Sequence, residues 1–273
     1  MSQDNNQIEE LKKKAKLIRK DILAIAYRSK SGHIGPSFSI VEILVALYFG
    51  HFSMDPQDLL NEDRDRFVLS KGHGCPALYA TLFHKGLISE DVFFGFAMDG
   101  GALEQHPTRR PEWGIEVSSG SLGHGLSLGA GMALAARHDK KDYRVFVLMS
   151  DGENNEGSIW EAALFGAHQK LDNLVAIVDY NKMQALGKTR EVIGLDPLAD
   201  KWRSFGWAVK DIDGHDIGQL IQTFEGVPFE QGRPSAVIAH TVKGRGVCFM
   251  ENDLLWHYRC PDEDEYQKAL DEI

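Results

Sequence analysis

The sequence predicts an open α/β protein whose doubly wound, mostly parallel sheet is flanked by helices, and three observations carry that prediction. Residues 145–149 (Val-Phe-Val-Leu-Met) and 174–178 (Leu-Val-Ala-Ile-Val) are strand-length runs of β-type apolar residues. The stretch 158–170 between them has the length and composition of a helix, which gives a strand, a crossover helix and a parallel strand. Further strands at 67–70, 207–212 and 236–241 alternate with helices at 122–138, 198–205, 219–224 and 264–273, the alternation expected of a parallel sheet.

The chain opens with an amphipathic helix. Ile8, Leu11, Ala15, Ile18, Ile22 and Ile25 recur at helical spacing behind a basic face of Lys12, Lys13, Lys14, Lys16, Arg19 and Lys20, which reads as solvated. Ser29-Lys30-Ser31-Gly32-His33 breaks this helix, a second helix follows at 40–49, and the strand at 67–70 leads into Lys71-Gly72-His73-Gly74. With 273 residues, 43% hydrophobic and 26% charged, the chain accommodates one large α/β domain over 1–273 and is too short for two. The excess of 40 acidic over 30 basic residues, a net charge of −10, argues against a nucleic-acid surface. Cys75, Cys248 and Cys260 show neither metal nor redox spacing, and their odd number fits a reducing compartment. The start, Met1 to Asn6, is polar, and no apolar run approaches twenty residues, so a cytoplasmic protein without a membrane span is expected.

The chemistry concentrates where the strands at 145–149 and 174–178 end. Parallel strands joined by a crossover helix finish on the same edge of the sheet, so Asp151, in Ser150-Asp151-Gly152-Glu153, and Asn181, in Asp179-Tyr180-Asn181, are expected side by side there. A carboxylate and an amide oxygen are hard ligands, suited to Mg²⁺ or Ca²⁺ shared with a phosphate. Gly152 lets the backbone approach such a phosphate closely. His33, His73, His106 and His257 all lie in predicted loops. Imidazoles in such places can hydrogen-bond phosphate and sugar hydroxyls or move protons.

The segment from Asp151 to Asn181 resembles the thiamine diphosphate motif, Gly-Asp-Gly followed some thirty residues later by Asn, with Ser150 replacing the first glycine. Ser31-Gly32-His33, Ser70-Lys71-Gly72-His73-Gly74, His106-Pro107, Ser119-Gly120-Ser121-Leu122-Gly123-His124-Gly125, Glu156-Gly157, Trp160-Glu161-Ala162, Asp213-Gly214-His215, Thr241-Val242-Lys243-Gly244 and Trp256-His257 occur in order around it. Together they resemble the amino-terminal, diphosphate-binding domain of transketolase, as found in enzymes split over two polypeptides.

That resemblance implies thiamine diphosphate with Mg²⁺ or Ca²⁺, the metal held by Asp151, Asn181 and the carbonyl of Met183. It implies that Gly152, Glu153, Asn181 and Lys243 bind the cofactor, that His73 and His257 lie near its diphosphate, and that the Gly120-Ser121-Leu122 backbone receives the aminopyrimidine. It assigns His33 to the donor-sugar channel, His106 to the donor's hydroxyls, and Glu156 and Glu161 to a path between paired active sites. A favourable carboxylate near a helix start is an equally good reading of Glu161. The implied activity is transfer of a two-carbon ketol unit from a ketose or ketose phosphate to an aldose. The glutamate that activates the aminopyrimidine belongs to a pyrimidine-binding domain, expected on a second, carboxy-terminal subunit in an α2β2 assembly. The alternatives are a deoxyxylulose-phosphate synthase-like or dehydrogenase E1-like subunit, or a non-catalytic regulatory subunit. Gln105 before His106, and Tyr258-Arg259-Cys260 after His257, depart from the family pattern where the substrate channel is expected.

Overall fold

The computed structural model describes residues 2–52, 54–55 and 57–273; Met1, the first of the polar amino-terminal residues, lies outside them. Five strands, β1 (Arg66–Leu69), β2 (Val145–Ser150), β3 (Leu174–Tyr180), β4 (Ala208–Asp213) and β5 (Ser235–His240), form one sheet in the order β1-β2-β3-β5-β4. All four pairings are parallel, so the sheet is parallel throughout rather than mostly so. Each strand lies where its apolar run predicts it.

Side chains on a strand alternate between faces, and here both faces are covered. Phe146, Leu148, Val175, Ile177 and Val237 pack into one core together with α1 (Ser2–Ser29), α3 (Val41–Val45), α4 (Cys75–Lys85) and α10 (Ile217–Glu225). Val145, Val147, Met149, Ala176, Val178 and Ile238 pack into the other, under α6 (Gly125–His138), α7 (Gly157–His168) and α9 (Leu198–Ser204). This two-sided burial explains why β2 and β3 read as unbroken apolar runs. The helix α4 has no counterpart in the sequence reading because Cys75 to Leu82 are all buried, so it carries no amphipathic stripe. The helix expected at 40–49 is in fact α2 (Ile34–Phe38), then α3, then a π-helical turn at Ala46–His51.

One expectation for α1 is corrected. Leu11, Ala15, Ile18, Ile22 and Ile25 are buried as predicted, but Arg19 is buried with them instead of lying on a solvated basic face. Its guanidinium donates to Glu42 Oε2 at 2.7 Å, to the carbonyl of Phe38 at 3.3 Å and to that of Arg245 at 2.9 Å. Helical periodicity cannot show this, because the partners lie on α2, on α3 and on a loop more than two hundred residues away. Burial disfavours the ionised form of Glu42, but Arg19 and a hydrogen bond from His215 outweigh it and lower the carboxyl to about 2.

The folded value lies below the unfolded one. The native state therefore binds fewer protons than the unfolded chain between about pH 4.5 and 2. Stability from Glu42 is fully present above that window and is lost as the pH falls through it. Glu42→Gln is expected to cost about 3–5 kcal/mol at neutral pH, because it leaves Arg19 buried without a counter-charge. It is also expected to flatten the loss of stability across the window, as measured by urea unfolding at stepped pH.

Candidate active site

The register of β2 against β3 builds the site. Ser150 pairs with Asp179, so the chain leaves both strands at the same carboxyl edge, one residue later at Asp151 and two later at Asn181. Asp151 Oδ1 accepts from the Gly152 amide and Oδ2 from Thr189 Oγ1, both at 2.8 Å. Asn181 Oδ1 accepts from the Met183 amide at 3.0 Å. The three expected ligands therefore form one short rim, and Asn181 and Met183 line a cavity of about 540 Å³ with Thr189 and Arg190. Burial pushes Asp151 up to about 6, against the hydrogen bond from Thr189, and a cation at the rim would oppose that effect. Among the described residues no three His, Cys, Asp or Glu side chains form a metal cluster. A set of one carboxylate, one amide and one carbonyl would not form such a cluster, and it leaves positions for phosphate oxygens.

Asp179, one turn of the pleat before Asn181, organises the interior of the site. Fully buried, it pairs with the equally buried Lys71 and accepts from Thr241 Oγ1, from Ser39 Oγ at 2.8 Å and from Asn181 Nδ2 at 2.9 Å. Burial alone would raise this carboxyl, but Lys71 and the hydroxyl donors hold it below the usual range. Lys71 also donates to the carbonyl of Pro36 at 2.9 Å. Thus α2, the turn after β1 and the end of β5 all meet at one carboxylate.

The four histidines expected at the site are brought together. The ring of His33 lies 5.7 Å from His73, 5.8 Å from His106 and 5.5 Å from His257, and His73 lies 5.3 Å from His257. Gly32 is required here, since a Cβ would stand 2.4 Å from the carbonyl of Tyr258, beside His257. Burial, then the neighbouring His106 and Lys243, lower His33 to about 4; burial, then Lys243, lower His257 to about 3. Lys243 Nζ lies 2.9 Å from His257 Nδ1, so this bond assigns the imidazole proton to Nε2. Burial and Lys71 lower Lys243 itself to about 8.

The remaining predicted residues divide. Gly120 packs against the ring of His106, and Gly120 and Ser121 line a cleft of about 270 Å³. Leu122 is half-buried beside it. Gly152 lies under Gln184. Glu153 is buried, and its oxygens accept from the amides of Ser150 (2.8 Å) and Gly123 (3.0 Å) and from Ser70 Oγ. It therefore braces the Gly120–Gly123 segment from behind. Glu156 and Glu161 are exposed; Glu156 is the N-cap residue of α7, and Glu161 lies beyond its first turn, where the helix dipole does little. Arg259 turns away to pair with Glu265, while Tyr258 is exposed. The residues missed from sequence are Asp179, Lys71, Ser39, Thr189 and Gln184. Lys71 and Asp179 stand in the quoted motifs, but nothing in their spacing shows that they pair.

These features define an open α/β protein with a polar site at its carboxyl edge. The chain belongs to the family described as transketolase, thiamine diphosphate binding domain, which matches residues 11–271. It is 45% identical over 267 residues to one of the subunits of the apulose-4-phosphate transketolase of Phocaeicola vulgatus, covering 98% of this chain and 95% of that one. It is 42% identical over 264 residues to 6-deoxy-6-sulfo-D-fructose transketolase subunit SqwG of a Clostridium species, covering 97% and 96%. Among solved structures it superposes on transketolase from Leishmania mexicana with a TM-score of 0.88 at 27% identity, covering 95% of this chain and 40% of that one. The chain thus spans about 40% of the length of that solved enzyme.

Asp179→Asn is expected to lower stability by about 3–5 kcal/mol, since it leaves Lys71 buried and unpaired; chemical denaturation measures it. For His33 and His257 the folded values lie below the ordinary 6.5. Both imidazoles are expected to stay neutral down to about pH 4 and 3, and folding stability is expected to rise with pH from there to 6.5. NMR titration of their Cε1 protons reads this directly.

Proposed function

We propose that this chain is the diphosphate-holding subunit of a two-polypeptide transketolase. The observation that carries the reading is the β2–β3 register, which sets Asp151, Asn181 and the Met183 backbone on one rim with the histidine quartet in the same carboxyl-edge site. The residues fit thiamine diphosphate. Gln184 Nε2 and Ser119 Oγ are buried polar atoms without a partner among the described residues; the Gln184 side chain packs over Gly152, and Ser119 directly precedes Gly120. Asp151, Asn181 and the Met183 carbonyl would hold Mg²⁺ or Ca²⁺, and Gly152, Lys243, His73 and His257 the diphosphate. Gly120, Ser121 and Leu122 would receive the aminopyrimidine, with Glu153 holding that segment in place.

When bound, thiamine diphosphate supplies the electron sink that makes cleavage of a ketose carbon–carbon bond possible. The chain's own residues orient and exchange protons. The imidazoles of His33 and His106 can donate to and accept from sugar hydroxyls, help of a kind worth about 10²–10⁴ in rate. Glu156 and Glu161, exposed on and before α7, would face a second copy of the site across an α2β2 assembly. The second subunit would complete the cofactor site. The relatives' names specify apulose 4-phosphate and 6-deoxy-6-sulfo-D-fructose, so the donor class proposed is a ketose bearing a terminal anionic group.

The complex of this chain with its partner is expected to bind thiamine diphosphate only with Mg²⁺ or Ca²⁺ present, by calorimetry, and to transfer a two-carbon unit between sugars. Asp151→Ala is expected to abolish both. Ketol transfer by this chain alone would overturn the two-subunit reading, and a complex that does not bind the cofactor would overturn the assignment.

A further inference from the structure

One motif of the sequence, Asp213-Gly214-His215, takes no part in the site described above, yet the structure ties it to that site. His215 is almost fully buried, with its side chain 10% exposed, and both ring nitrogens are engaged. Nδ1 lies 3.0 Å from Glu42 Oε2, and Nε2 accepts from the backbone amide of Val242 at 2.8 Å. A nitrogen that accepts carries no proton, so Nδ1 is the protonated one and donates to Glu42. The same Glu42 oxygen accepts from Arg19 at 2.7 Å, and Arg19 Nε donates to the carbonyl of Arg245 at 2.9 Å.

The loop after β5 is thus held at both ends by one buried network: Val242 by His215, Arg245 by Arg19, with Glu42 joining the two. Inside the grip sits Gly244, whose amide donates to the carbonyl of Gly35 at 3.0 Å. Its φ of +81° and a virtual Cβ 2.2 Å from the carbonyl of Met250 leave the turn no room for a side chain. Thr241 and Lys243 leave this short loop toward the site, Thr241 to Asp179 and Lys243 to His257. The turn that carries His215 is seated on the same segment, since Gly214 donates to the carbonyl of His240 at 2.8 Å and a Cβ on it would meet Thr241 at 2.4 Å.

We propose that His215 is a positioning residue for the cofactor site: held as the Nδ1–H tautomer by the Arg19–Glu42 pair, it fixes the Val242 amide and thereby aims Thr241 and Lys243. The inference rests on the functional reading above for the ligand, but its mechanical part is independent of it. Glutamine can offer its side-chain oxygen near the place of Nε2, whereas asparagine reaches only the place of Nδ1. In the complex with the partner subunit, His215→Asn is expected to speed exchange of the Val242 amide about tenfold, the worth of one hydrogen bond, and to weaken thiamine diphosphate binding by a similar factor. His215→Gln is expected to keep both close to the wild-type values. Exchange is read by mass spectrometry with fragmentation, and affinity by calorimetry with Mg²⁺ present. Unchanged Val242 exchange in His215→Asn, or equal loss in His215→Gln, overturns the positioning role, as does unchanged affinity despite lost protection. Failure of the unmutated complex to bind the cofactor would instead refute the functional assignment, while the exchange measurement would still decide the clamp.

Discussion

The site depends on a single buried ion pair, Lys71 with Asp179. Both side chains are fully excluded from water, where an unpaired charge is costly and a paired one is tolerated only with further hydrogen bonds. Asp179 obtains those from Ser39, Asn181 and Thr241, and Lys71 from the carbonyl of Pro36. These partners come from four separate stretches of chain: the turn after β1, the α2 region, the end of β3 and the end of β5. Satisfying one carboxylate therefore brings together the segments that carry His33, His73, Asn181 and Lys243, the residues proposed to meet cofactor and substrate.

The electrostatic character of the site follows. Burial and the neighbouring lysines keep His33, His73 and His257 neutral at physiological pH, and Lys243 sits between them and Gln184. The interior thus presents hydrogen-bonding imidazoles and ammonium groups, while the rim presents the oxygens of Asp151 and Asn181. Both halves suit the proposed anionic cofactor with its divalent cation. The overall negative charge of the chain gives no hint of this, because most of its carboxylates lie outside the site.

Much of the fold was legible because its local signals agree with its global arrangement. The runs at 145–149 and 174–178 are buried on both faces, so their composition alone marks them as strands. The signals weaken where burial is complete on a helix, as in α4, and where a helix breaks into short pieces, as between Ile34 and His51. Arg19 shows a further limit. Periodicity places it on the polar side of α1, and the position of Glu42 on another helix reverses that reading.

The residue types that the proposed chemistry needs, Asp151 and Asn181 after strands and histidines beside glycines, are written in the chain, as is the order of strands and helices. Strand and turn propensities act over a few residues, and the parallel crossover rule then places both polar residues on one edge. Which groups pair in the interior is a different matter. Lys71 with Asp179, Glu153 with Gly123, and Glu42 with Arg19 and His215 join positions far apart in sequence, and each exists because a buried charge must find a partner wherever the packed helices and loops deliver one. The Asp151 and Asn181 oxygens could be foreseen; the scaffold that holds them still could not.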